Sequence, residues 1–126
     1  MIPENLRYST DHEWIKSEDD GRVRIGITDY AQDALGDVVF VDLPELQSSV
    51  TVGESISEVE STKSVSDIFA PVTGTVVEIN GDLADEPERM NNDPYGDGWI
   101  CIIELSADAN LDSLIDAAAY AELTEG

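Results

Sequence analysis

The chain has very little positive charge. Six lysines and arginines stand against 28 aspartates and glutamates in 126 residues, and the formal net charge is -22. A nucleic-acid partner needs a basic stripe to neutralise phosphates, and six scattered cations cannot make one. The same scarcity disfavours an anionic membrane surface. Cysteine is almost absent: Cys101 stands alone, which excludes an internal disulfide and any cysteine-cluster metal site. No apolar run approaches the ~20 residues that cross a bilayer. The opening stretch MIPENLRYST lacks the basic and apolar regions of a signal peptide, so the cytoplasm is the expected location.

What is present suffices for a core. Hydrophobic residues make up 41% of the chain and come in short organised runs, DVVFVDL, GTVVEIN and WICIIEL. That organisation argues against the disorder a charge of this size would otherwise suggest. The length fits one domain, since domains commonly hold ~100–150 residues. A surface this acidic repels itself at low salt and is tolerable when screened. It suits a high-salt cytoplasm and a halophilic source, and an acidic partner-binding surface is the competing reading.

Short β-runs dominate the first four-fifths. HEWIK and RVRIGI read as strands around the polar turn SEDDG. TDYAQDALG reads as a short helix, with Thr28 or Asp29 as N-cap and Gly36 just past its end. DVVFVDL follows as a buried strand that stops at Pro44. Residues 81–98, GDLADEPERMNNDPYGDG, read as a long irregular loop rich in turn formers. WICIIEL is the last strand. Leu111, Leu114, Ile115, Ala118 and Leu123 then recur at helical spacing, which predicts an amphipathic helix over about 108–123. Periodicity thus gives a small mainly β sandwich or barrel, core about 6–105, with peripheral helices.

Only two of the six cations are lysines, Lys16 and Lys63. Lys63 lies in EVESTKSVSD, with no carboxylate directly beside it. Ile56 and Val59 precede Thr62 at the distances at which Val65 and Ile68 follow it. A hairpin folded near Thr62 would bring each pair to one face. No Asn-Gly or Asp-Gly is present, so a longer loop built on a type I turn is expected rather than a tight I′ turn. Lys63 would sit at or beside the exposed tip, where acylation removes one charge and adds a long arm. On composition alone a solvated surface lysine is the commoner reading, and the question stays open.

Four stretches carry a family resemblance. VESTKSVSDIFAPVTGTV resembles the lipoyl-attachment segment of the glycine cleavage system H protein family. STDHEWIK, GITDYAQDALGDVVFVDLPE and NNDPYGDGWICIIEL are similar to other parts of the same family, in the same order. The resemblance runs from Tyr8 to about Tyr120. It implies a lipoyl-domain-like hybrid of barrel and sandwich, a single carrier domain over 1–126, and lipoate bound as an amide on the ε-nitrogen of Lys63. It implies a carrier with no catalytic residues of its own. In the family a pyridoxal-phosphate glycine decarboxylase loads an aminomethyl group, a folate-dependent aminomethyltransferase unloads it, and dihydrolipoamide dehydrogenase reoxidises the dithiol. A lipoate ligase or lipoyl transferase would attach the group. The resemblance makes Glu13 and Asp67 candidates to contact the amine of the sheltered arm, whose positive charge their carboxylates suit. Thr62 and Ser64 depart from the valine and alanine more usual beside the lysine, but both are small enough for a tip.

Two alternatives stand beside this reading. One is another swinging-arm domain, although biotin carriers place methionines beside the lysine and 2-oxoacid dehydrogenase lipoyl domains lack the DHEW and GITDYAQ stretches. The other is an unloaded relative that serves in lipoate relay or interaction only. Elsewhere, His12 between two carboxylates invites a general-base role but has no recognisable nucleophile partner. Cys101 reads as a small buried hydrophobe, and Trp14 and Trp99 as core. The carboxylates of SEDDG and GDLADEPE do not match calcium-loop spacing, and no metal site is expected. DPYGDGW reads as a rigid structural turn in which Gly96 and Gly98 permit positive φ.

Overall fold

The computed structural model describes residues 3–18, 21–106 and 114–125. In chain order the elements are β1 (Arg7–Tyr8), β2 (Glu13–Ser17), β3 (Arg22–Ile27), α1 (Asp29–Leu35), β4 (Val38–Asp42), β5 (Ser49–Val50), β6 (Ser55–Ser61) and β7 (Val65–Phe69). They continue with β8 (Gly74–Ile79), α2 (Asp82–Asp85), α3 (Arg89–Asn92), β9 (Cys101–Leu105) and α4 (Ala117–Glu125). Two antiparallel sheets form, one ordered β1-β2-β3-β9-β8-β5 and the other β4-β6-β7. No helix among the described residues is long and apolar enough to cross a membrane.

Strand alternation decides what is buried. In β3 Val23, Ile25 and Ile27 are buried while Arg22 and Arg24 are half-buried. The main core gathers Ile15, Val23 and Ile25 with Val59, Ile68, Val76 and Ile103 from both sheets. A second cluster packs Leu6, Tyr8 and Trp14 against Ala117 and Tyr120 of α4. Tyr8 and Tyr120 stack with ring centroids 4.7 Å apart.

Helix α1 forms as its sequence directs. Thr28 is the N-cap and accepts a hydrogen bond from the Ala31 amide. Gly36 ends the helix at φ 86°, a conformation that a side chain rarely adopts.

Several expectations are corrected by packing. The strand β4 is only half buried: Val38 and Val41 face the core, while Val39 and Phe40 are 52% and 49% exposed around a bulge. The hairpin mirror lies between Thr62 and Lys63 rather than at Thr62. Val59 therefore pairs with Ser66, and Glu60 with Val65, which is 57% exposed. A shift of one residue moves a side chain to the opposite face. Residues 81–98 are not irregular throughout. They hold α2 and α3, each anchored by one fully buried apolar residue, Leu83 and Met90.

The terminal helix also differs from expectation. Leu111 and the rest of 107–113 lie outside the described residues. The helix α4 begins only at Ala117, and Ile115 before it forms a β-bridge with Tyr8. Its inner stripe is Ala117 and Tyr120, whereas Ala118 and Leu123 are exposed. The aromatic Tyr120, left out of the periodic set, sets the helix's rotation.

The DPYGDGW turn is structural, as expected, but for a different reason. Neither Gly96 nor Gly98 has positive φ. Gly98 is needed because backbone crowds it: a Cβ there would lie 2.7 Å from the Arg89 carbonyl oxygen and 2.9 Å from that of Asp93. The turn receives the Trp14 indole N–H on the Pro94 carbonyl at 2.8 Å and the Asn80 side-chain Nδ2–H on the Asp97 carbonyl at 2.8 Å. Gly98→Ala is expected to destabilise the fold by about 2 kcal/mol or more, because none of the crowding atoms is a flexible side chain. Gly81→Ala, at an open site with negative φ, is expected to be nearly neutral or slightly stabilising. Equal denaturation midpoints for the two variants would contradict this account.

Candidate functional site

The site is built on the β6–β7 hairpin. Its tip holds only Thr62 and Lys63 between Ser61 and Ser64. The Ser61 amide donates to the Ser64 carbonyl at 2.8 Å. The return bond goes to a side chain instead of a carbonyl: the Ser61 hydroxyl oxygen accepts from the amides of Lys63 and Ser64, both at 3.1 Å. This side-chain cap closes the turn without Asn-Gly. Neither tip residue has positive φ, so the turn is not of the I′ kind. It is nevertheless shorter than the loop expected from sequence, because the Ser61 hydroxyl substitutes for a second ladder bond.

The tip is also tied to the body. The Thr62 amide donates to the Asp37 carbonyl at 3.0 Å. The Lys63 stem runs past Gly36, where a Cβ would meet the lysine Cε at 3.0 Å. Gly36 thus ends α1 and leaves room for the lysine. Asn91 of α3 holds this corner, donating to the Gly36 carbonyl and the Gln32 side chain at 2.9 Å each and accepting from the Val38 amide at 2.8 Å. Lys63 itself is exposed and makes no ion pair among the described residues. Arg22 pairs with Glu104, Arg24 with Glu18, and Arg89 with Glu86, Asp82 and Asp97, whereas Arg7 and Lys16, like Lys63, make no ion pair among the described residues, so it is the tip and not the missing ion pair that sets Lys63 apart.

Beside the hairpin lies a cleft of about 180 Å³. Helix α1 supplies Tyr30, Ala31, Ala34 and Leu35, while β7 supplies Ser66, Asp67 and Ile68. Asp11 and His12 close it from the β1–β2 turn, and Ile27 lies at its base. The cleft is therefore apolar at its floor and carries carboxylates in its walls. Ser66 to Ile68 follow Lys63 by three to five residues, so the cleft lies ~10–17 Å along the strand from the lysine.

The structure brings Lys63 and Asp67 to one hairpin and puts Asp67 in the cleft wall. It does not bring Glu13 there. Glu13 is 2% exposed, and its Oε2 accepts from the Phe69 amide at 2.9 Å while Oε1 accepts from the Ser9 hydroxyl at 2.9 Å. Burial raises its pKa to about 7, against the lowering effect of these two bonds. Cys101 is fully buried, and burial pushes its thiol up to about 12, so it is an inert core residue as expected. Trp14 is core, and half-buried Trp99 lies under the Arg24 guanidinium at 4.7 Å.

Sequence reasoning missed the α1 side of the cleft and the room that Gly36, read only as the helix stop, leaves for the lysine. The i, i+3, i+4 spacing of Ala31, Ala34 and Leu35 could have revealed that face. It also missed Tyr120, whose hydroxyl lies 2.8 Å from His12 Nδ1 and 2.7 Å from Thr28 Oγ1. No local signal joins residues so far apart in the chain.

A small β-sandwich that presents one unpaired lysine on a pinned two-residue tip, next to a slender cleft, defines a swinging-arm carrier. The glycine cleavage H-protein family model matches residues 6–126. A glycine cleavage system H protein from Mycolicibacterium vanbaalenii is 57% identical over 94% of this chain and 93% of its own length. One from Marinobacter nauticus is 51% identical over 96% and 93%. The crystal structure of a glycine cleavage system H protein from Mycobacterium marinum superposes with a TM-score of 0.88 at 46% identity, covering 96% of this chain and 97% of that one. The chain belongs to the glycine cleavage H-protein family. Members are non-catalytic carriers that hold lipoate covalently on a lysine, and this chain's role follows as a lipoyl carrier of glycine cleavage. Membership decides against the biotin-carrier and 2-oxoacid dehydrogenase readings.

Glu13 has a consequence for stability. Its folded pKa of about 7 lies above the ordinary value of 4.5. Between these values the folded state binds the proton more tightly than the unfolded state. Its contribution to stability is therefore present at low pH and lost as pH rises through about 7. Glu13→Gln, which keeps the shape and stays neutral, is expected to gain stability over the parent between pH 5 and 8, by on the order of a few kcal/mol at the upper end. Chemical denaturation of both proteins across that range checks it, and a constant difference would contradict it.

Proposed function

We propose that Lys63 is the lipoate anchor and that the α1–β7 cleft is where the arm rests. The observation that carries this is the tip: an exposed amine without an ion pair, on a turn closed by Ser61 and bound to Asp37. The residues present suit the group. An amide on the lysine nitrogen displaces no existing contact of that nitrogen, and the Gly36 notch already accommodates the stem. Lipoate supplies a dithiolane that is reduced, loaded and reoxidised, and the protein supplies presentation and shelter.

The chain's own residues divide that work. Ser61, Asp37 and Asn91 hold the anchor in place. Ile27, Ala31, Leu35 and Ile68 exclude water from the cleft. Asp67 faces a cationic guest from the wall, where its charge is attractive. Glu13 supports Asp67 indirectly, by binding the Phe69 amide at the end of β7. The partners on this reading are the glycine decarboxylase, the aminomethyltransferase, dihydrolipoamide dehydrogenase and a lipoate ligase or transferase, in the cytoplasm. Tethering raises the arm's effective concentration at each of their active sites.

We also propose that the acidic surface reflects a high-salt, halophilic setting. The relevant lengths are a Debye length of ~10 Å at 0.1 M salt and ~3 Å at 1 M. Neighbouring surface carboxylates repel each other at the first value and are largely screened at the second.

Intact mass of the native protein tests the anchor. A lipoyl increment is expected in the parent and in Lys16→Arg, and none in Lys63→Arg. An increment that survives Lys63→Arg, or is absent from the native protein, overturns the assignment and favours a relay or interaction role. For the salt reading, the melting temperature is expected to rise by several degrees between low and molar ionic strength. Equal melting temperatures would sink it.

A further inference from the structure

His12 lines the cleft, and its backbone and Nδ1 are held by groups outside it. Its φ is 69°, in the left-handed region that non-glycine residues seldom occupy. Its amide donates to the Ser9 carbonyl at 3.2 Å and its carbonyl accepts from the Thr28 amide at 3.1 Å. The ring lies 4.6 Å from that of Tyr30 and meets Tyr120 edge-on at 5.7 Å. Nδ1 bonds the Tyr120 hydroxyl, and Nε2 has no partner among the described residues.

The protons of this chain can be assigned by satisfaction. Thr28 is fully buried and its oxygen accepts from the Ala31 amide. Its own proton has one polar neighbour within reach, the Tyr120 oxygen at 2.7 Å. Burial pushes the Tyr120 hydroxyl up to about 12, so that group keeps its proton. With Thr28 donating to Tyr120, the Tyr120 proton goes to His12 Nδ1. The imidazole is then neutral, with its proton on Nε2. Protonating Nδ1 would reverse Tyr120 toward Thr28 and leave the buried Thr28 hydroxyl proton unpaired, which costs free energy.

We propose that His12 is a positioning residue of the cleft: an uncharged wall, held in one tautomer by Tyr120 and Thr28, whose protonation expels a cationic guest. Burial lowers the pKa of His12, opposed by Asp11, in keeping with a neutral ring near pH 7. The titratable groups around it are Asp11 on the same turn, Tyr30 from α1, Asp67 from β7, Tyr120 from α4 and its chain neighbour Glu13. A cation on His12 would offset the attraction of Asp11 and Asp67 for an ammonium group. The inference rests on the cleft reading for its biological meaning, but its test needs no lipoate.

The probe is methylammonium, titrated into unmodified full-length protein at 0.5 M salt and followed through the amide NMR signals of Ala34, Ser66 and Asp67. Saturable binding is expected at pH 7.5, weakened at least about threefold by the added like charge once the pH is low enough for the imidazole nitrogen shifts to report a protonated His12. In His12→Gln the pH dependence should vanish. In Tyr120→Phe it should shift to higher pH, because Nδ1 loses its donor. Imidazole nitrogen shifts should report the Nε2–H tautomer in the parent. Three results overturn the proposal: no saturable binding at the cleft, an Nδ1–H tautomer, or a pH dependence kept in His12→Gln, which would assign the titration to Glu13 or the aspartates. Lipoylation of Lys63 is scored separately by mass, so failure of the anchor assignment and failure of this proposal are distinguishable.

Discussion

The two sheets are joined at the functional end by one buried carboxylate. Glu13 leaves β2 of the larger sheet and accepts the amide of Phe69, the last residue of β7 in the smaller one. A carboxylate taken out of water must be hydrogen-bonded or neutralised. Here both routes are available, since its oxygens meet an amide and a hydroxyl and its pKa is raised. In a chain with 28 acidic residues, this one is isolated from solvent. Where it sits determines where the end of β7 lies, and with it the cleft wall formed by Ser66, Asp67 and Ile68.

A second constraint acts from the far end of the chain. Tyr120 stacks on Tyr8 and reaches Thr28 and His12 with its hydroxyl. Thr28 caps α1, so the terminal helix, the cleft helix and the β1–β2 turn share one hydroxyl chain. The hairpin tip is tied separately, through Asp37 and Gly36 at the other end of α1. Helix α1 thus lines the cleft along its whole length, from Tyr30 to Leu35, and reaches the lysine at its C-terminal end through Gly36.

Local signals were legible where the local physics is decisive. Thr28 and Gly36 marked the ends of α1 because a cap needs a short side-chain acceptor and a stop needs positive φ. Lys63 stood out as a lysine with no acidic neighbour, and the hairpin around it was readable from mirrored apolar residues. Its register was not, because Val65 is apolar yet exposed and only the pairing partner decides which face it takes. The rotation of α4 was unreadable for a similar reason: Leu123 satisfies helical spacing, but the surface that receives the helix is the ring of Tyr8. Glu13 was legible as a noteworthy acid and not as a buried one, since nothing in DHEW shows that Phe69 will offer its amide.

Charge links these pieces. The unmodified tip carries an ammonium group without a partner in a molecule of net charge -22. Acylation removes that cation, so the hairpin joins the acidic field instead of interrupting it. On the proposed anchor, an arm with an uncharged stem and a cationic end would then be drawn by the protein's own field toward the carboxylate-walled cleft, while the stem feels no pull. The attraction is long-ranged at low salt and confined to contact distance at high salt. At high ionic strength, shelter in the proposed resting place would therefore come from the local walls, Asp11, Asp67 and the neutral face of His12, rather than from the net charge.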